Sequence, residues 1–141
     1  MSDEGLMPSV GADELVARFI TSSKWVRGSD HTVRQDAFIP HPYPDLSVTR
    51  HRGLSAENLW QIGQQVADSC PATLYVRADV TAAAVRRQKL EVEPRPVPEN
   101  LNHASITGWP PDKPSQKILA QELAAAARYI ARPTAVGKSL T

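Results

Sequence analysis

Nine of the twelve prolines stand in three tight clusters: Pro40/Pro42/Pro44, Pro94/Pro96/Pro98 and Pro110/Pro111/Pro114. Proline fixes φ and has no N–H to donate, so each cluster excludes a helix interior and the middle of a sheet. Twelve prolines in 141 residues is about 8.5%, against ~5% in an average protein. The clusters read as stiff connections between elements, not as linkers between domains.

A chain of 141 residues suits one domain and can bury a core without disulfide or metal staples. Its 41% apolar content, with seven glycines added, lies in the globular range. The expected organisation is a flexible N-terminus over 1–10, one globular domain over 11–132 and a flexible tail over 133–141. The abundance of Ala, Arg, Asp and Pro matches bacterial high-GC coding.

The net charge is +1. Nucleic-acid binding is possible through a local patch, but bulk charge does not indicate it. The single cysteine, Cys70, excludes an internal disulfide framework and cysteine-rich zinc sites. No stretch approaches the ~20 apolar residues of a membrane span, and Met1 to Gly5 is too acidic for a secretory signal. The expected location is therefore cytoplasmic, with no membrane partner.

Along the chain, Leu15, Val16, Phe19 and Ile20 recur at helical spacing and predict a helix from Gly11 to about Ser23. A strand is expected from Thr32 to Ile39. The Pro40–Pro44 corner predicts a polyproline segment presenting His41 or Tyr43. Asp45 to His51 alternates as a strand, with Leu46, Val48 and Arg50 on one side and Ser47, Thr49 and His51 on the other. Ser55 caps a helix running to about Ser69, with Leu59, Ile62 and Val66 as its buried line. Strands are expected at Thr73–Arg77, Lys89–Glu93 and His103–Gly108. A short helix is expected around Ala82–Arg87. Asp112 caps the last helix, whose buried face runs from Ile118 through Leu123 to Ile130. The fold class is α+β: a small mixed or antiparallel sheet of about four to five strands, with three helices packed mainly on one face.

The sharpest local pattern is His103-Ala104-Ser105-Ile106. A histidine and a hydroxyl two apart on a strand share a face. Such a pair can hold a phosphate oxygen while the imidazole moves a proton. The motif resembles half of the signature of the two-histidine phosphoesterases, which carry a His-x-Ser/Thr-apolar motif on each of two strands. The resemblance covers these four residues. His51-Arg52-Gly53-Leu54 lacks the hydroxyl, and His31-Thr32-Val33-Arg34 has it one position early.

The catalytic candidates are therefore His103 and Ser105, with His51 as a second proton relay. Arg50, Arg52 and Arg77 are the candidate anion-binding edge. Tyr43 and Trp109 are candidate interface aromatics, although the turn Trp109-Pro110-Pro111 suits a tryptophan that locks the last helix onto the sheet. No histidine pair stands at metal-ligand spacing on a predicted helix, so no metal and no cofactor is implied. Three functions are compatible with these residues. The sequence favours a non-catalytic interaction or accessory module that acts with a protein partner in a larger assembly. The alternatives are a histidine-dependent phosphodiester- or nucleotide-processing enzyme and an arginine-mediated nucleic-acid-binding accessory protein. The enzyme reading requires His51 and His103 to line one cleft, within about one substrate of each other, and positions on opposite faces of the fold would exclude it.

Overall fold

The computed structural model describes residues 9–133. Most of the two expected flexible ends, 1–8 and 134–141, lies outside the described residues. Val10, assigned to the flexible end, is buried in the core, and Arg86 donates to its carbonyl.

The architecture is α+β. Six antiparallel strands form the main sheet: β1 (Leu15–Ile20), β4 (Leu46–Arg50), β5 (Val76–Thr81), β6 (Glu91–Pro94), β7 (His103–Thr107) and β8 (Arg128–Ala131). Their order is β6-β7-β4-β1-β5-β8. A second, two-stranded sheet pairs β2 (Val26–Arg27) with β3 (Thr32–Val33). The helices are α1 (Ala56–Ser69), α2 (Ala82–Arg87) and α3 (Lys113–Ala126). The strand count thus exceeds the expected four to five.

Four elements differ from the sequence reading. Leu15–Ile20 is a strand, not a helix. It lies between β4 and β5 with both faces covered, so its apolar residues run almost continuously. Such a run cannot be told from a helix by periodicity alone. The expected strand over Thr32–Ile39 stops at Val33 and passes into a 3₁₀ turn, Gln35–Phe38, which buries Ala37 and Phe38. The last helix ends at Ala126. Ala127 turns extended, and Arg128–Ala131 becomes the edge strand β8, where Tyr129 and Ile130 supply the strand preference that the preceding alanines lack. Ile118, placed on the buried face of α3, is exposed. The strand expected at Thr73–Arg77 begins three residues later, at Val76.

Cross-strand pairing defines the two faces of the main sheet. The first carries Val16, Ile20, Leu46, Val48, Val80, Ala104 and Ile106, packed with α2, α3 and the 3₁₀ turn. The second carries Ala17 and Phe19, which α1 covers with Leu59, Trp60 and Ala67. Two of the three helices therefore lie on one face and α1 on the other. Ser55 caps α1, its hydroxyl accepting from the Asn58 N–H at 3.0 Å. The buried stripe of α1 is turned by one position from the expected line. Trp60, Gly63 and Ala67 face the sheet, while Val66 is exposed. Gly63 permits this approach, since a Cβ there would lie 2.7 Å from the Phe19 ring. Helix α1 packs over β1 and β5, against Ala17 and Phe19 and over the Arg77 guanidinium.

At the start of α3, Asp112 accepts from the Ser115 N–H at 2.9 Å, and Pro114 occupies the first turn. Trp109 donates its indole N–H to the Ile106 carbonyl at 2.8 Å and packs against the core. The tryptophan thus ties the end of β7 to the turn before α3. The Pro40–Pro44 corner is a tight turn rather than a polyproline run. Its Tyr43 N–H bonds the Pro40 carbonyl at 2.9 Å, and the His41–Pro42 peptide is cis.

Candidate functional site

A row of side chains crosses five strands on the second face. His103 pairs with Thr49, Thr49 with Ala17, Ala17 with Asp79, and Asp79 with Arg128. His51 follows Thr49 by two residues, so it projects from the same face, one diagonal step from His103. Diagonal neighbours on adjacent strands lie about 7–8 Å apart. The two histidines singled out in the sequence therefore stand on one face of neighbouring strands.

His51 leans across β1. Its Nε2 lies 3.1 Å from Asp79 Oδ1. The contact is off the N–H axis, so Nε2 is buried close to a carboxylate without a formed hydrogen bond. Ala17, the β1 residue paired with Asp79, is fully buried. The ring keeps 23% of its surface exposed, while the Asp79 side chain keeps 4%. Arg77, two residues earlier on the same side of β5, donates through Nε to both Asp79 oxygens, at 3.0 and 3.2 Å. Its guanidinium lies 4.8 Å from the centroid of the Trp60 ring on α1. Its Nη1 is buried and has no hydrogen-bond partner.

His103 is held differently. Its Nδ1 lies 2.8 Å from the Arg95 carbonyl, and the Arg95 N–H returns a bond to the His103 carbonyl at 2.8 Å. Arg95 is itself fixed by Asp45 at 2.7 Å and Glu93 at 3.1 Å. The Asp45 hydrogen bond, then that of Glu93, raises its already high pKa. A backbone carbonyl only accepts, so Nδ1 carries the proton in neutral His103 and Nε2 presents its lone pair. Thr49, between the two histidines, accepts from Asn100 Nδ2 at 3.0 Å.

His103 and Ser105 also line a cleft of about 600 Å³. It opens where β1 and β4 part: the two strands pair at Val16↔Arg50 and Ala17↔Thr49, then diverge. Tyr43 and Phe19 contribute apolar wall, and Arg18 and Cys70 contribute polar groups. Arg18 bridges the parting strands, donating to the Ser47 carbonyl at 3.1 Å and to the Ala37 carbonyl at 2.8 Å. Burial pushes its guanidinium down to about 10, opposed by the nearby Cys70 thiol. His51 does not line this cleft.

The three candidate anion-binding arginines are not brought together. Arg50 projects from the first face and is 2% exposed, where Glu14 holds it through Nε–Oε2 and through Nη2–Oε1 at 2.9 Å. Arg77 is paired with Asp79 on the opposite face. Arg52 is exposed, in the loop after His51. Arg50 and Arg77 are each enclosed with a carboxylate, and of the three only Arg52 is exposed. Tyr43 is 70% exposed at the cleft, and Trp109 is half-buried behind α3. Among the described residues no group of three or more His, Cys, Asp or Glu could hold a metal ion, and no helix is long and apolar enough to cross a membrane.

Sequence reasoning missed Asp79 and Asn102. Asp79 falls between the strand expected at Thr73–Arg77 and the short helix expected around Ala82–Arg87. Its signal was Arg77-Ala78-Asp79 within Val76 to Val80: two opposite charges two apart in an apolar run, hence on one face of a buried strand. Asn102 donates to the carbonyls of both Arg50 and Arg52 and so fastens the chain on either side of His51. Nothing in the local pattern singled it out. No known protein family, curated protein or solved structure matches the chain.

Proposed function

We propose that the protein is a histidine-dependent enzyme acting on a phosphodiester or nucleotide, with His51 and His103 as its proton-transfer pair. The observation that carries this reading is their placement. Two imidazoles stand on one face of neighbouring strands, with His103 alone lining the cleft beside them, and each has one ring nitrogen close to a fixed acceptor and the other directed away from it. Phosphodiester hydrolysis needs that complement. One imidazole takes the proton of the attacking water as its oxygen bonds to phosphorus. The other, in its doubly protonated imidazolium form, gives the proton on its outward nitrogen to the leaving oxygen as the P–O bond breaks, and is left neutral. Ser105, buried on the same face of β7 in the wall of the cleft, would donate to a phosphate oxygen. The exposed Arg128, opposite Asp79, adds positive charge to this face, and Arg52 is exposed in the turn after His51.

The test is turnover of bis(p-nitrophenyl) phosphate and of cyclic and linear dinucleotides by the purified protein across pH. The expected result is a bell-shaped profile, and a loss of about 100-fold or more on His51→Ala or His103→Ala. Absence of turnover on every phosphodiester, or activity indifferent to both substitutions, overturns the reading.

A second reading, a non-catalytic module within a larger assembly, is favoured by the cleft between β1 and β4 with the exposed Tyr43 beside it. Its occupant would be an extended segment of a protein partner, offered backbone positions where the β1–β4 ladder stops. A photo-crosslinking residue at Tyr43 should capture a discrete partner that the same residue at exposed Ile118 does not. Equal capture at both positions removes this reading. Either role suits the cytoplasm, where a lone thiol stays reduced.

A further inference from the structure

We infer that Asp79 is the positioning residue for His51, and that Arg77 and Trp60 hold Asp79 in place; this rests on the reading of His51 as a proton-transfer group. Buried ionic groups are costly. Removing a carboxylate and a guanidinium from water is repaid only by close pairing and full hydrogen bonding. Here the pairing is incomplete. Arg77 meets Asp79 through Nε alone, leaving Nη1 buried without a partner, and the buried Nε2 of His51 faces the same carboxylate off-axis. A cluster built only for stability would satisfy these groups or replace them with apolar side chains.

The arrangement dictates a tautomer. A carboxylate accepts and does not donate, so the ring nitrogen facing it carries the proton: Nε2–H, with the lone pair on Nδ1. The exposed part of the ring is then its basic edge. His103 is fixed the opposite way, with Nδ1–H on the Arg95 carbonyl and the lone pair on Nε2. The two rings use different nitrogens, yet each turns its lone pair away from its anchor. Arg77 keeps Asp79 from swinging, and the Trp60 ring on α1 covers the guanidinium. Placement of His51 thus passes from α1 through β5 to the end of β4.

Long-range proton–nitrogen NMR correlations on the ¹⁵N-labelled full chain, at about pH 8.5 where imidazoles are neutral, test this without reference to any substrate. The expected spectrum shows His51 as the Nε2–H tautomer and His103 as the Nδ1–H tautomer. In Asp79→Asn, which preserves size, His51 should lose its single tautomer while His103 keeps its own. With a phosphodiester substrate, Asp79→Asn should lower kcat by on the order of 100-fold with KM little changed. Wild-type His51 in the Nδ1–H form, or a tautomer unmoved by Asp79→Asn, overturns the proposal. If Asp79→Asn does not fold, the wild-type tautomer and its response to Trp60→Phe decide. A correct tautomer shift in a protein with no phosphodiesterase activity would sustain the positioning role and remove only the proposed reaction.

Discussion

Arg50 and Glu14 form a two-point ion pair on the first face of the sheet, where the arginine side chain is almost wholly enclosed. Glu14 stands at the start of β1 and Arg50 at the end of β4, so the pair fastens the one end of these strands that stays joined. Glu14→Gln would leave the guanidinium buried opposite a neutral amide. The expected loss is about 3–5 kcal/mol, read from urea denaturation. Replacing both partners, as in Glu14→Leu with Arg50→Met, should recover most of that stability. A small effect of Glu14→Gln would show that the pair is open to solvent.

Gly63→Ala sets two opposed effects against each other. Alanine favours a helix interior by about 1 kcal/mol over glycine. The new methyl, however, would stand 2.7 Å from the Phe19 ring and 3.1 Å from Leu74. Both neighbours are buried, and overpacking of this kind costs about 1–3 kcal/mol. Net destabilisation is expected, and Phe19→Leu in the same chain should relieve it. A double-mutant cycle measures the coupling, and a stabilised Gly63→Ala protein would refute the close packing of α1 on β1.

The sequence reached the elements whose signals are local. The Ser55 cap, the Asp112 cap with Pro114, and the alternation of β4 need only neighbouring residues, and each is found in the fold. It failed where tertiary burial overrides pattern. Leu15–Ile20 is apolar on both sides because two layers cover it, and that removes the period-two signature of a strand. The same failure hid the site. With β1 read as a helix, no strand joined β4 to β5 in one sheet, so Asp79 had no reason to meet His51. The period-two reading of β4 did place Arg50 and His51 on opposite faces, and that separation divides one residue of the ion pair from one of the candidate site.

Acid stability should depend on Glu91. Its carboxylate accepts from Arg86, chiefly, and from the Val92 N–H, and both bonds hold its pKa below the ordinary glutamate value. A carboxylate whose folded pKa is depressed contributes stability that is fully present above its unfolded pKa. That contribution is lost as pH falls through the folded value. Wild type should therefore exceed Glu91→Gln in urea midpoint at pH 7, with the gap closing as pH drops below the ordinary carboxylate range. Both side chains are substantially exposed, so screening keeps the gap under about 1 kcal/mol. A gap that widens toward acid would reverse the sign and exclude the Arg86 contact in solution.

Asn102 offers the most direct handle on the candidate site apart from the histidines. Its side-chain amide donates to the Arg50 and Arg52 carbonyls, on either side of His51, and the Asn102 carbonyl accepts from the Arg50 N–H at 2.8 Å. Asn102→Ala removes the two side-chain bonds and keeps the backbone one. A typical hydrogen bond contributes about 0.5–1.5 kcal/mol net, so a global loss of about 1–2 kcal/mol is expected. The local effect should be larger. The His51 N–H bonds the Leu15 carbonyl and the Leu54 N–H bonds the His51 carbonyl. Both amides should exchange with solvent faster in Asn102→Ala than the overall loss of stability explains, while the amides of α3 follow the overall loss alone. Uniform acceleration across the chain would mean that Asn102 stabilises the fold without holding His51 in place.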